Sequence, residues 1–490
     1  MLESEIPVTV SPPGKTLYVL PGTRLVEAVA AVGLALDLPC GGEGTCGKCR
    51  VRLVRGADEP GPAERRALTP EELDQGFRLA CQVTVNAPLD VEIPRTSLLA
   101  TTHKILASAG QTADIQPDPP VAKRWVELPP PSRSDDRSDL ARLQQAVGPS
   151  DADVPFLREL PSRLRENGFR GTAVVLGDRL IDFEPGNTES AAYAVAVDVG
   201  TTTLVAMLLD VRTGDELAVA ARLNPQTRFG DDVLSRILYT QENPDGLAAL
   251  QNAVLSAVHE MIGEVTAEAG VDRRRIYEVV FSGNTTMQEL LCGIDPRTLG
   301  EVPFIPATSS RILIPAADLG IEIHPRARAY VMPVIGGFVG GDTVAGILAT
   351  DLTDSPGPSL LVDIGTNGEI VLWAHGKLTA ASTAAGPAFE GARIAHGMRA
   401  SAGAIEKVVI DGRLRVNVIG GVAPVGLCGS ALIDAAAELL RHGVLAPDGR
   451  LASPDRLPEH VLPDLRDRLV ADGGKPAFVL VPAEESGTGK

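Results

Sequence analysis

Four cysteines near the start of the chain are the residues best suited to chemistry. Cys40, Cys46 and Cys49 follow the spacing C-x5-C-x2-C, and Cys81 comes 31 residues later. Thiolates are soft ligands, and four of them suit a [2Fe–2S] cluster; the first gap is one residue longer than in the plant-type pattern. The stretch they enclose, Gly41-Gly42-Glu43-Gly44-Thr45 and then Gly47-Lys48, is rich in glycine. A loop that wraps an inorganic cluster needs positive φ and close backbone approach, and its N–H groups can donate to sulfur. A structural zinc site is the competing reading, because C-x2-C is also a zinc knuckle. Zinc sites usually pair two knuckles, and Cys81 has no Cys or His near it, so the spacing favours iron and sulfur. Cys292 and Cys428 stand apart and read as small buried hydrophobes. His103, His259, His324, His375, His396, His442 and His460 are scattered without metal-ligand spacing, as surface or satisfied histidines are.

A second chemistry is written twice. The apolar run 193–197 ends in Asp198-Val199-Gly200-Thr201-Thr202-Thr203, and the run 360–362 ends in Asp363-Ile364-Gly365-Thr366-Asn367-Gly368-Glu369. Each leads back into a strand-like run, 204–209 and 370–373. A hairpin with so tight a turn presents backbone N–H groups and hydroxyls to a phosphate, and its Asp can hold Mg²⁺ through water. One copy would be weak evidence, since Gly-Thr turns are common. Two copies 165 residues apart suggest related half-domains facing a nucleotide.

The elements that must position these residues can be read in outline. Residues 8–10 and 16–20 are strand-like around Ser11-Pro12-Pro13-Gly14, and Thr23 is placed to cap a helix over 25–32. Residues 50–54, 83–85 and 89–93 supply further strands. Thr69-Pro70-Glu71-Glu72 is a capping box with Pro at the first helical position. Residues 96–138 are proline-rich and read as a linker. Residues 139–188 form a small module with helically spaced Leu157, Leu160 and Leu164, a strand at 172–176 and no visible chemistry. Further on, 279–281 leads into Ser282-Gly283-Asn284-Thr285-Thr286. The strand 331–335 leads into Gly336-Gly337-Phe338-Val339-Gly340-Gly341-Asp342 and a helix over 343–350 with close-packing Ala345 and Gly346. Gly426-Leu427-Cys428-Gly429-Ser430 before the helix 431–440 reads equally as an anion site or a plain cap.

Composition bounds the rest. The 490 residues carry 45 Lys and Arg against 63 Asp and Glu, a net charge of −18, which argues against a nucleic-acid partner. A hydrophobic content of 44% builds ordinary cores, and with aromatics at 3% they must be aliphatic. At about 150 residues per domain the length predicts roughly three domains. The start, MLESEIPVTV, has no signal-peptide pattern, and no run of about 18 uncharged apolar residues predicts a membrane span. A soluble, cytoplasmic protein is expected.

Taken together, residues 1–95 resemble a β-grasp [2Fe–2S] ferredoxin. The paired Asp–Gly–Thr turns resemble the phosphate-1 and phosphate-2 loops of the actin, sugar-kinase and heat-shock-chaperone ATPases, with 343–350 as the connecting helix. The combination resembles the reductive activators of corrinoid proteins over nearly the whole chain, carried by AVDVGTTT, NPQTRFGDDVLSRI, FSGNTTM, GGFVGGDTVAGI, LVDIGTNGE and PVGLCGSALID. The resemblance implies an α+β and α/β multidomain protein: ferredoxin at 1–95, linker at 96–138, a small α/β middle domain at 139–188 and an actin-like, ribonuclease H-like ATPase at 189–490. It implies that Cys40, Cys46, Cys49 and Cys81 ligate iron. Gly200, Thr201, Thr202, Thr203, Gly336, Gly337, Gly365, Thr366, Asn367, Gly368 and Glu369 would hold ATP, and Asp198 and Asp363 would place Mg²⁺ and water. The implied activity returns a corrinoid cobalt from Co(II) to Co(I) with ATP, taking electrons from an upstream donor and acting on the corrinoid protein of a methyltransferase system. A homodimer is left open. An electron carrier with a non-hydrolysing nucleotide-sensing or docking module is the alternative, and a metabolite kinase would need a base and substrate pocket that the sequence does not offer. The superfamily's adenosine-binding Gly-rich turn has no candidate before Lys490; the chain passes an apolar strand at 478–481 and the ATPase fold is expected to lack its last part.

Overall fold

The computed structural model describes residues 6–12, 14–32, 34, 36, 44, 47–56, 59–94, 97, 117–230, 232–365, 367–384, 396–398, 400–453, 457–458 and 460–489. The chain forms two compact units. One gathers residues 1–105, 364–368 and 383–490, the other 106–363 and 369–382.

In the first unit, alternating residues of Ile6–Ser11 turn inward, as period-two burial requires. This strand pairs antiparallel with Lys15–Val19 and parallel with Leu89–Glu92. The five-stranded order is Lys15–Val19, Ile6–Ser11, Leu89–Glu92, Arg50–Arg55, Phe77–Leu79. The helix Leu25–Ala31 lays Leu25 and Val29 into the same core as Val8, Val10, Val51 and Leu79, which is a β-grasp arrangement. Thr23 does not act as the expected cap; it pairs with Val85, and its hydroxyl donates to the Leu20 carbonyl at 2.8 Å. The capping box is present. Thr69 N–H donates to Glu72 Oε2 at 2.8 Å and Glu72 N–H to Thr69 Oγ1 at 3.2 Å.

The same unit holds a hairpin, Ala404–Asp411 with Arg413–Val418, and the helix Gly429–Arg441. At that helix start the Cys428 N–H donates to the Ile405 carbonyl at 3.0 Å and Ser430 Oγ to the Glu406 carbonyl at 2.7 Å. Both donors are spent on the fold, which favours the plain cap. The strand expected at 478–481 lies earlier, Lys475–Phe478 paired with Leu469–Asp472.

The second unit opens with a difference from the sequence reading. Val121–Glu127, inside the stretch read as linker, is the outer strand of a four-stranded sheet ordered Val121–Glu127, Arg170–Leu176, Arg179–Glu184, Asp151–Ala152. Phe156, Leu160 and Leu164 of the helix Val154–Glu166 fill its core. Lys123 is the reason the strand was hidden, because a lysine at an inward position breaks the apolar alternation. Its Nζ donates to Glu184 Oε2 at 2.7 Å, the Ala191 carbonyl at 2.8 Å and the Tyr277 hydroxyl at 3.0 Å. Burial pulls the Lys123 pKa down, opposed by Glu184. Arg275 also pairs with Glu184, His324 Nε2 lies 3.1 Å from Asp182 Oδ2, and Arg326 donates to Glu159 Oε1 at 2.8 Å. These contacts tie the small sheet to the larger one, and at the buried Lys123–Glu184 pair the loss of one partner would strand a charge.

The larger sheet runs Glu216–Leu223, Thr203–Asp210, Tyr193–Val199, Ile276–Gly283, Arg328–Val331, Ile312–Pro315. The first three strands are antiparallel; Tyr193–Val199, Ile276–Gly283 and Arg328–Val331 are parallel. This is the ribonuclease H-like pattern. The helix Gly246–Ala269 buries Leu250, Val254, Val258, Met261 and Val265 against it. A second sheet of three strands follows, Ser359–Ile364, Asn367–Ala374 and Lys377–Ala384, in that order.

Candidate functional site

Cys40 and Cys46 lie outside the described residues; Cys49 and Cys81 lie inside. Cys49 immediately precedes the strand Arg50–Arg55, and Cys81 lies two positions past the end of Phe77–Leu79. Those strands are antiparallel neighbours with Arg50 opposite Leu79, and the Ala80 N–H donates to the Cys49 carbonyl at 2.9 Å. The ladder thus delivers both thiols to one point, with Sγ atoms 3.3 Å apart and both residues buried. That separation exceeds a disulfide bond; metal–sulfur bonds of about 2.3 Å in a tetrahedron place two sulfurs roughly 3.7 Å apart. Gly44 and Gly47 have φ of +74° and +66°, the backbone the cluster loop was expected to need. Gln82 Nε2 reaches Cys81 Sγ at 3.5 Å. Sequence reasoning missed Glu64: its buried carboxylate accepts from Gly61 N–H at 2.7 Å and Leu79 N–H at 2.9 Å, fastening a helix start to the cysteine-bearing strand. The residues present fit an iron–sulfur group. Cys428 is buried and Cys292 half-buried, its thiol pushed up to about 11 by burial and then Glu289, as inert core cysteines are.

The first Asp–Gly–Thr hairpin turns at the end of Tyr193–Val199. Asp198 stands on that strand, Gly200 to Thr202 turn, and Thr203 opens the returning strand. Asp363 occupies the matching place on Ser359–Ile364, and Asn367, Gly368 and Glu369 begin Asn367–Ala374. Gly365 N–H donates to the Asn367 carbonyl at 3.0 Å across the turn; Thr366 lies outside the described residues. Gly336 and Gly337 lie in the loop after Arg328–Val331, where the Gly336 carbonyl accepts from Thr285 Oγ1 at 2.7 Å. Gly340 has a packing reason of its own, since an added Cβ would sit 2.4 Å from the Asn284 Cα.

Within the second unit, electrostatics link the carboxylates of Asp198, Asp342, Asp363 and Glu369. Asp198 is reachable from solvent, yet crowding by protein, then the charges of Asp342 and Asp363, pushes its pKa up to about 7. Glu369 is likewise raised to about 7, by burial first and then by Asp342 and Asp363. Asp342 is raised by burial, and Asp363 adds to the shift. Four carboxylates thus share a field, and a divalent metal with its nucleotide is what that field suits. Among the described residues no three His, Cys, Asp or Glu are grouped so as to hold a metal ion directly. Asp342 was not singled out by the sequence. The signal was its place at the first turn of the helix Gly341–Ala349 after a glycine-rich loop, and only the fold brings it to Asp198 and Asp363.

A β-grasp domain with converging cysteines and a ribonuclease H-like unit with paired Asp–Gly–Thr hairpins define an iron–sulfur protein with an actin-like ATPase domain. The chain matches the 2Fe-2S iron-sulfur cluster binding domain over residues 8–86, the RACo linker region over 110–190, the RACo middle region over 193–355 and the C-terminal ASKHA domain of RACo over 357–490. It is 34% identical to the corrinoid activation enzyme RamQ of Eubacterium limosum over 472 residues, 95% of this chain and 75% of that protein. A [Co(II) methylated amine-specific corrinoid protein] reductase of Methanosarcina barkeri is 26% identical over 299 residues, 53% of this chain and 54% of that protein. The solved structure of a reductive activator for a corrinoid, iron-sulfur protein superposes with a TM-score of 0.66 at 37% identity, over 99% of this chain and 79% of that chain. The chain belongs to the family of reductive activators of corrinoid proteins. Its cofactors are a [2Fe–2S] cluster and ATP. Among the described residues no helix is long and apolar enough to cross a membrane.

Proposed function

We propose that this protein returns the cobalt of a partner corrinoid protein from Co(II) to Co(I), delivering one electron per event and using ATP to make the delivery effective. The observation that carries the reading is the shared field of Asp198, Asp363 and Glu369 from the two hairpins and Asp342 from the helix Gly341–Ala349, in a chain that also presents two converging thiols 3.3 Å apart. Bound in the first domain, the cluster supplies single electrons near roughly −400 mV. The Co(II)/Co(I) couple lies lower, and each ~59 mV of shortfall costs a factor of ten in a one-electron transfer. ATP must therefore drive release of the reduced partner or change the cobalt's ligation in the complex.

In this reading Cys40, Cys46, Cys49 and Cys81 hold the iron. Gly200, Thr201, Thr202 and Thr203, Gly336 and Gly337, and Gly365, Thr366, Asn367, Gly368 and Glu369 take the nucleotide. Asp198 and Asp363 hold Mg²⁺ through water and orient the attacking water, with Asp342 added to that pair. The partner is the corrinoid protein of a methyltransferase system, served by an upstream electron donor in the cytoplasm, and a homodimer is the proposed assembly. The proposed domains are the ferredoxin at 1–95, the ATPase at 189–490, and a middle domain of 139–188 joined by the strand Val121–Glu127.

Anaerobic reconstitution, followed by mixing with a Co(II) corrinoid protein, reductant and ATP, tests the reading. The cobalt absorbance should move to that of Co(I), and Cys46→Ser should abolish the change. A spectrum that stays at Co(II) with an intact cluster refutes it, and ATP hydrolysis that never rises above background would leave only the electron carrier.

A further inference from the structure

As a phosphate cradle, the turn from Gly200 to Thr203 works only when its N–H groups face the ligand, so any role given to its supports rests on the nucleotide reading of this site. In a trans peptide the N–H and the preceding C=O point in opposite directions, and the loop's carbonyls must therefore be held from behind. A buried carbonyl also needs a donor on its own account.

The segment 224–236 supplies those donors to three successive residues. Asn224 Nδ2 donates to the Gly200 carbonyl at 2.8 Å, Arg236 Nη2 to the Thr201 carbonyl at 2.6 Å, and the Asn224 N–H to the Thr202 carbonyl at 2.8 Å. Holding the Gly200 and Thr201 carbonyls backward turns the Thr201 and Thr202 N–H groups forward. The donors are themselves interlocked. Gln226 Oε1 accepts from Asn224 Nδ2 at 3.3 Å and from Arg236 Nη1 at 3.2 Å, while Gln226 Nε2 donates to the Leu250 carbonyl at 3.0 Å. Asn224 Oδ1 accepts from the Gln226 N–H at 3.0 Å, which assigns the orientation of that amide. Arg236 Nε donates to the Gly230 carbonyl at 2.9 Å. From the other side, Asn284 Nδ2 donates to Thr201 Oγ1 at 2.9 Å.

Asn224, Gln226 and Arg236 are each 0% exposed. Burying a guanidinium is expensive, and an apolar side chain would fill the same volume at lower cost. What arginine alone provides is a rigid fork of donors, the feature a run of inward carbonyls demands. We propose that Arg236, with Asn224 and Gln226, is the positioning residue of the first phosphate loop: it touches neither nucleotide nor metal and sets the direction of the N–H groups that do.

The test uses the full-length holoprotein and two probes, Mg²⁺–tripolyphosphate, which lacks base and sugar, and Mg²⁺–ATP. Arg236→Lys keeps the charge and loses the fork; Asn224→Ala loses the Gly200 contact. At a temperature well below the variant's melting midpoint, Arg236→Lys should weaken Mg²⁺–tripolyphosphate binding by about tenfold or more, the worth of one charge-assisted hydrogen bond, and Asn224→Ala by about threefold or more, the worth of a neutral one. Unchanged affinity beside a lowered midpoint means a purely structural role and overturns the proposal. Should both variants fail to fold, amide exchange in the wild type decides: Mg²⁺–tripolyphosphate should protect the Thr201 and Thr202 N–H groups, and no protection overturns it. A wild type that binds neither probe defeats the underlying nucleotide reading, whereas a wild type that binds both while the folded variants match it defeats this proposal alone.

Discussion

The two Asp–Gly–Thr hairpins begin from nearly the same sequence and end in different surroundings. Tyr193–Val199 is central, with an antiparallel neighbour on one side and a parallel one on the other, and Val195, Val197 and Val199 are at most 1% exposed. Ser359–Ile364 is the outer strand of its three-stranded sheet among the described residues, and Leu360, Val362 and Ile364 are 59%, 46% and 55% exposed. The first loop's carbonyls are gripped by a remote segment; in the second, Gly365 bonds to Asn367 within its own turn. The surroundings of such a hairpin are thus not defined by its motif alone. The motif supplies small residues and an acid, while rigidity comes from what packs behind, and the chain provides that unequally.

The largest effect should be the same in both halves, because the carboxylates share one field. Asp198→Ala and Asp363→Ala are each expected to lower ATP-dependent Co(I) formation by about 100-fold or more, as loss of a metal-placing group does. The ultraviolet–visible spectrum of the cluster should not change. If one variant kept its ATP dependence, the hairpins would not serve a common Mg²⁺.

Stability should then separate the halves. Leu204 is fully buried beside the first loop, so Leu204→Ala should cost about 3–5 kcal/mol through lost transfer energy and a residual cavity. Leu360→Ala, on the open strand, should stay within about 0.5 kcal/mol. Denaturant midpoints of the holoprotein compare the two. A similar loss at Leu360 would show that something covers the second sheet in solution.

The parts of this molecule that were legible in the sequence are those whose chemistry is local. Cysteine spacing pointed to the cluster because ligands must surround one small object, and Thr69 with Glu72 announced a helix start because capping acts across three residues. The repeated Asp–Gly–Thr turn was legible because a hairpin closes on itself. What stayed hidden depends on distant partners. Arg236 reads as an ordinary surface arginine of an amphipathic helix until its fork is seen on the Thr201 carbonyl, 35 positions back. Lys123 looks like linker until Glu184 and Tyr277 close around it. Asp342 becomes part of a site only through a field that strands far apart in sequence create.

The smallest predicted effect probes the second half alone. Asp198 and Glu369 have pKa values raised to about 7, so near neutrality the nucleotide-free protein holds protons that the unfolded chain has already shed. The stability these groups contribute is therefore fullest below the ordinary carboxylate range, and it is lost as pH rises toward 7. Mg²⁺–nucleotide favours the ionised forms, so binding at pH 7 should release about one proton, measured by titration calorimetry in buffers of different ionisation enthalpy. Glu369 Oε1 also accepts from Ser382 Oγ at 3.3 Å, a contact that favours its charged form. Ser382→Ala removes that donor and should move the pH midpoint of proton release up by roughly half a pH unit, equivalent to ~0.7 kcal/mol. The same substitution should leave the loop around Thr201 untouched, because its oxygens are held by Asn224, Arg236 and Asn284. A downward move, or none, would mean that Glu369 is not the titrating group, and the proton release would then belong to the first hairpin through Asp198.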